Sequence, residues 1–233
     1  MRVLRAVIWA VCVVAVLVVL PGVLILHPQT PLPRHWNPVK DLAVMDPLSP
    51  LTSWKLGRIG NHPEHCVERL DTAAQFEILD DFEVSDVCHI QTRLQVTELA
   101  NVAMRRTETR CDTALVTAMW LQHGVQPAAQ AAFGQRVKQI RTQGSYNCRT
   151  IGGSTRMSSH ATASALDVAG FTLVDGTEIE LLTDWDNPGA AGAFLRAARD
   201  SSCDWFDTTL GPDFNQAHAD HFHLQLDGWG TCR

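Results

Sequence analysis

The chain has 233 residues, 45% of them hydrophobic and 19% charged, with Lys+Arg 19 against Asp+Glu 25. That composition excludes a disordered or low-complexity protein, and a single stretch apolar enough to cross a bilayer excludes a polytopic membrane protein. A net charge of −6 and a pI near 5.9 argue against nucleic acid as a partner.

From Ala6 to Leu26 the sequence reads AVIWAVCVVAVLVVLPGVLIL, without a charge. At about 1.5 Å per residue such a helix reaches about 30 Å, the thickness of a bilayer core. Arg2 and Arg5 precede it, which places the N-terminus in the cytoplasm. A cleaved signal peptide has the same charge pattern. The length of the run favours an uncleaved anchor, as does the absence of a small-x-small site around His27-Pro28-Gln29. Either way, the rest of the chain is exported. Residues 28–50 hold Pro28, Pro31, Pro33, Pro38, Pro47 and Pro50. This density disfavours helix and predicts an extended spacer. The chain therefore divides into an anchor or signal (1–27), a proline-rich linker (28–50) and one exported domain (51–233).

Cysteine usage agrees with export. Cys12 lies in the apolar run; Cys66, Cys88, Cys111, Cys148, Cys203 and Cys232 remain for disulfides. Cys203 with Cys232 is the expected pair that ties down the C-terminus. No Cys-x-x-Cys is present, which speaks against a thiolate zinc site.

Within the domain, Asp112 reads as an N-cap and Gly124 as the stop of a helix over Ala114–His123, with Leu115, Met119 and Trp120 facing the core. A second short helix is expected at 127–133. Val137–Thr142 alternates and reads as a strand. Ala165–Leu173 is a further strand. Asp175-Gly176 is a turn signal, with a returning strand over Thr177–Leu182. Pro188–Asp200 places Ala191, Phe194, Leu195 and Ala198 at helical spacing. His221–Leu226 alternates as a last strand. The sum is an α+β fold with a mainly antiparallel sheet and flanking helices.

Chemistry concentrates in two places. In HADHFHLQL, His218, Asp220, His221 and His223 fall within six residues. On a strand, His221, His223 and Gln225 share one face, while Phe222, Leu224 and Leu226 enter the core. In SSHATASALD, His160 and Asp167 supply an imidazole and a carboxylate, with small residues between them that permit a tight turn. Alternation turns Asp167 away from the core side of Leu166 and Val168. His160, Asp167 and His223 together make an N, O, N donor set suited to a catalytic zinc ion.

Ser158-x-His160-x6-Asp167, with His221-x-His223 downstream, resembles the zinc peptidase group that spans D-alanyl-D-alanine carboxypeptidases, lysostaphin-type endopeptidases and the hedgehog N-terminal domain. The run from Cys111 to Cys232, through GSYNCR, SSHATASALDVAGF and LGPDFNQAHADHFHLQL, is similar to the bacterial extensin-like C-terminal domain. The resemblance implies one zinc ion held by His160, Asp167 and His223. It implies His221 or Asp220 as the base, Arg149 near the scissile bond, and Ser158 orienting the ligand loop. It also implies a peptidoglycan peptide as substrate, with the domain carried outside a bacterial inner membrane. Ala163 departs from the family pattern, which has glycine there; a left-handed backbone at this position costs an alanine about 1 kcal/mol. That departure is what favours the alternative of a non-catalytic wall-binding module. An amidase or esterase with another envelope substrate is a third reading.

The remaining residues read blandly. His27, His35, His62, His65, His89 and His123 lack ligand spacing, and His218 either lines the cleft or caps the strand. Trp120, Trp185, Trp205 and Trp229 read as packing. Asp184, Asp186 and Asn187 lack the glycine and late glutamate of a calcium loop.

Overall fold

A computed structural model of the chain describes residues 2–27, 29–60, 63–228 and 230–233. Pro28, His62 and Trp229 lie outside the described residues. In chain order the elements are α1 (Arg2–Leu26), α2 (Thr52–Gly60), α3 (Pro63–Leu70), β1 (Ala74–Ile78), β2 (Phe82–Ser85), β3 (Cys88–Ile90), β4 (Arg93–Leu99), β5 (Val102–Arg110), α4 (Cys111–Trp120), α5 (Gln126–Phe133), β6 (Val137–Gly144), β7 (Ala165–Leu173), β8 (Glu178–Glu180), α6 (Leu181–Asp184), α7 (Ala190–Ser202), β9 (Thr208–Leu210), β10 (Phe222–Gln225) and β11 (Thr231–Cys232).

The class is α+β. Among the described residues nine strands form one mixed, mainly antiparallel sheet, in the order β1-β4-β5-β6-β7-β10-β9-β11 with β8 beside β7. The exceptions are parallel: β5 with β6 and β11 with β9. β2 and β3 form a separate hairpin. The strand β7 is buried along most of its length, with only Asp167 and Thr172 half-buried. Its apolar residues pack with the helices. Trp120 stands edge-on to Phe171, and Phe171 edge-on to Phe194. All three rings are buried, each worth about 2–3 kcal/mol relative to exposure.

Two expected boundaries differ. Asp112 is not the N-cap: the helix begins at Cys111, and Asp112 sits in its first turn, where its carboxylate accepts from Thr113 N at 2.8 Å. An acid there still complements the positive helix end. Gly124 does not stop the helix. The chain passes through a π turn at Leu121–Val125 into α5, which ends at Gly134 in a left-handed cap. The glycine instead serves close packing, because a Cβ at 124 would collide with Ser201 of α7. The returning strand after Asp175-Gly176 is also short: β8 covers Glu178–Glu180, and Leu181 starts a helical turn. Leu181 is buried in the same core, so tertiary packing overrides the alternation.

Between residues 51 and 110 the sequence alone predicts no element, yet α2, α3 and the strands β1 to β5 lie there. β1 and β2 are mostly exposed and carry little hydrophobic signal. Part of the proline-rich stretch lies against the domain. Leu42 and Val44 are buried in the core, the Lys55 ammonium donates to the Arg34 carbonyl at 2.8 Å, and the Asn37 amide donates to the Ile25 carbonyl at the end of α1 at 2.9 Å.

The helix α1 spans 25 residues with mean hydropathy 2.9 and none buried, long and apolar enough to cross a membrane. Its length and composition are those of a membrane anchor or of a signal sequence. Three disulfides join Cys66 to Cys111, Cys88 to Cys148 and Cys203 to Cys232. The last is the pair expected, and all three fit an exported domain.

Candidate metal centre

Three sequence-distant side chains meet on the face of β7 and β10 that turns away from the core. In the antiparallel pairing of these strands His223 lies opposite Asp167, so the register alone makes them neighbours. Phe222 and Leu224, on the alternate positions, are buried in the core and hold β10 in that register. His160 arrives from a 3-10 turn, Ser159–Thr162, capped by Ser158, whose hydroxyl accepts from the His160 backbone N–H at 3.3 Å. The turn is pinned by Asn147 N–H to the His160 carbonyl at 2.9 Å.

The exit from this turn is Ala163, at φ +52° and fully buried. An alanine in this region is strained. Its carbonyl accepts from the Thr113 hydroxyl at 2.8 Å, and beside it the Thr109 hydroxyl donates to Ser145 Oγ at 2.7 Å, which donates to the Ala165 carbonyl at 2.6 Å. The left-handed geometry is thus fixed by its surroundings, with no glycine present.

Around the centre, His160 Nε2 stands 3.1 Å from Asp167 Oδ2 and 3.1 Å from His223 Nδ1, and His223 Nδ1 stands 3.0 Å from Asp167 Oδ1. Tetrahedral ligands at about 2.0–2.1 Å from a zinc ion are separated by about 3.3 Å. The tautomers point the same way. His160 Nδ1 faces the Ser145 carbonyl at 2.7 Å, which can only accept, so the proton is on Nδ1 and Nε2 is bare. The Gln225 amide donates from Nε2 to the Asp227 carbonyl, which turns Oε1 toward His223 Nε2 at 3.1 Å. His223 therefore carries its proton on Nε2 and presents a bare Nδ1. Two imidazole lone pairs and a carboxylate converge with no proton between them, a donor set that fits a cation.

His221 precedes β10, with Nε2 3.8 Å from Asp167 Oδ1. Its Nδ1 donates to Asp220 Oδ1 at 2.8 Å, leaving Nε2 bare toward the cluster. Asp220 is half-buried and stands behind His221, where its other oxygen accepts from Gln143 at 3.3 Å. The bond from His221 is the main cause that holds Asp220 below its ordinary value. The strand begins only at Phe222, so alternation does not govern Asp220.

These groups open into a cavity of about 960 Å3, lined among others by Arg149, Ser158, Asp167, His218, His221 and His223. Arg149 lies on the wall, exposed, its guanidinium donating to the Thr150 carbonyl at 3.4 Å. His218 lines the wall, its ring 5.3 Å from that of His221; burial pushes it down to about 4. His123 is remote, bonding the Val44 carbonyl and stacking on Trp205. Sequence reasoning misses two groups at the centre. The Ser145 carbonyl is backbone and carries no residue signal. Gln225 shares the His223 face, and its spacing of two residues is the one available clue to its role.

The fold and this cluster define a disulfide-tied α+β domain with a His-Asp-His set on the wall of an open cavity. A family model described as extensin-like protein C-terminus matches residues 64–233, and the chain belongs to that family. No curated protein matches the chain, and neither does any solved structure.

Proposed function

We propose that the chain is an exported, inner-membrane-anchored zinc peptidase that cleaves peptide bonds of peptidoglycan. The observation that carries this reading is the convergence of three proton-free donors, His160 Nε2, Asp167 and His223 Nδ1, on the wall of a cavity that admits a peptide. Resemblance to the D-alanyl-D-alanine carboxypeptidase group supplies the substrate class. The helix α1 supports attachment to the membrane, with the domain in the periplasm or outside the cell.

Bound by these donors, zinc supplies a Lewis acid that acidifies water toward a pKa of about 7 and polarises a carbonyl. The chain's own groups divide the remaining work. His221 Nε2 takes the proton of the attacking water and passes it to the departing amine. Asp220 keeps the proton of His221 on Nδ1, which makes His221 the base and Asp220 its orienting partner. Arg149 places a fixed cation on the wall, where an oxyanion develops. Ser158 holds the turn that aims His160.

The test is incubation of the purified chain with isolated peptidoglycan, with and without a chelator, and mass spectrometry of the products. Chelator-sensitive peptide fragments are expected, and their masses give the bond. His221→Ala is expected to abolish turnover and keep one zinc per chain, while His223→Ala loses the zinc. If His223→Ala keeps stoichiometric zinc, the ligand assignment is wrong. A chain that binds peptidoglycan and zinc but cuts nothing is a wall-binding module, and loss of an amide or ester other than a peptide bond makes it a different hydrolase.

A further inference from the structure

Between the disulfide at Cys148 and the ligand turn, the chain forms a small hairpin that has no part in the metal centre itself. Ser158 N donates to the Arg149 carbonyl at 3.0 Å and Ile151 N to the Arg156 carbonyl at 2.9 Å. Thr150 bridges Met157. The tip turns at Gly152-Gly153, with Gly153 at φ +74°, a conformation that glycine adopts without strain. Arg149, Ile151, Gly152, Arg156, Met157 and Ser158 all line the cavity. One base of the hairpin is tied to β3 through Cys88–Cys148, and the other is Ser158, which caps the His160 turn.

Arg149 and Arg156 differ from those arginines of this acidic chain that are neutralised by a neighbouring acid. Arg93, Arg110, Arg141 and Arg199 each pair with a carboxylate. Among the described residues no carboxylate lies within ion-pair distance of Arg149 or Arg156. The acids that line the same cavity are Asp167, which is committed to the two histidines, and Asp227. The open wall therefore carries two unneutralised guanidinium groups in a protein of net charge −6. Guanidinium forks match a carboxylate with two parallel hydrogen bonds, which a neutral amide cannot offer.

We propose that the 149–158 hairpin is a receptor for a carboxylate, so that the site takes acidic peptides in preference to neutral ones. This rests on the peptidase reading for the kind of ligand, a peptide, and on the hairpin for its charge. A peptide supplies a carboxylate at its C-terminus or on an acidic side chain, and both present the same fork.

The experiment reads binding, so it is separable from catalysis. The full chain in detergent micelles is treated with chelator, so that no metal takes the carboxylate. It is then titrated calorimetrically with N-acetyl-D-alanyl-D-alanine, its C-terminal amide, and N-acetyl-D-glutamyl-D-alanine amide. At least one carboxylate probe is expected to bind about 10-fold or more tighter than the neutral amide, the size of one charge-assisted pair. Whichever does so identifies the source. Arg149→Gln and Arg156→Gln are each expected to lower that preference and the double variant to erase it, while Arg136→Gln, exposed and outside the cavity, leaves it intact. Equal binding of all three probes overturns the proposal. A preference that survives the double variant, or no binding of either acid, overturns it too. A chain that shows the preference and cleaves nothing keeps this inference and refutes the peptidase.

Discussion

Replacing Ala163 by glycine sets three terms against one another. The residue sits at φ +52° with its side chain fully buried. Relief of left-handed strain favours glycine by about 1–2 kcal/mol. Loss of a buried methyl costs about 0.8 kcal/mol, and the freer unfolded chain costs a further 0.4–1 kcal/mol or so. The terms nearly cancel, and Ala163→Gly is expected to change stability by less than about 1 kcal/mol in either direction. Ala163→Val is expected to cost more than about 2 kcal/mol, because it keeps the strain and adds two methyl groups to a filled site. Urea unfolding of the full chain in micelles, followed by near-UV circular dichroism, reads both. A gain above about 2 kcal/mol for glycine would mean that the strain dominates and that the Thr113 hydroxyl does not compensate for it. A loss above that size would mean that the alanine is unstrained. Either result refutes the cancellation.

Three further outcomes are expected. Gln225→Leu removes the acceptor that keeps the His223 proton on Nε2, so zinc affinity falls about 10- to 100-fold in competition with a chromogenic chelator; unchanged affinity would show that the tautomer is set elsewhere. Burial holds His123 below its ordinary value despite its bond to the Val44 carbonyl. Its neutral form therefore stabilises the fold above about pH 6.5, and that contribution is lost as pH falls toward the folded pKa. His123→Gln should flatten the urea midpoint against pH over this window, and an unaltered slope would remove His123 as its source. Replacing Cys88 and Cys148 by alanine opens a link across 60 residues, a loss of about 4 kcal/mol in the chain-entropy model; a midpoint shift worth under about 1 kcal/mol would contradict it.

The reach of a contact along the chain decides whether the sequence reveals it. Alternation puts Asp167 and His223 on one side of their strands, and the pairing of β7 with β10 then makes them adjacent. The core positions Trp120, Phe194 and Leu195 emerge from helical spacing. Contacts made by backbone, or by residues far apart, leave no local mark. The Ser145 carbonyl on His160 is one such contact. The passage of the helix through Gly124 depends on Ser201, and no window around residue 124 contains that residue. The early end of β8 depends on burial of Leu181, and the strands β1 and β2 are too exposed to write a hydrophobic pattern.

The Cys88–Cys148 link joins the β2–β3 hairpin to the segment that carries both the Ser145 carbonyl and Arg149. A thiol pair in a reducing compartment stays open, and then the segment that orients His160 keeps its strand end, β6, and its hydrogen bonds but has no covalent tie. The covalent tie beside the ligand turn therefore closes only in oxidising surroundings. How firmly that turn is held is thus a matter of the surroundings as much as of which residues the chain contains.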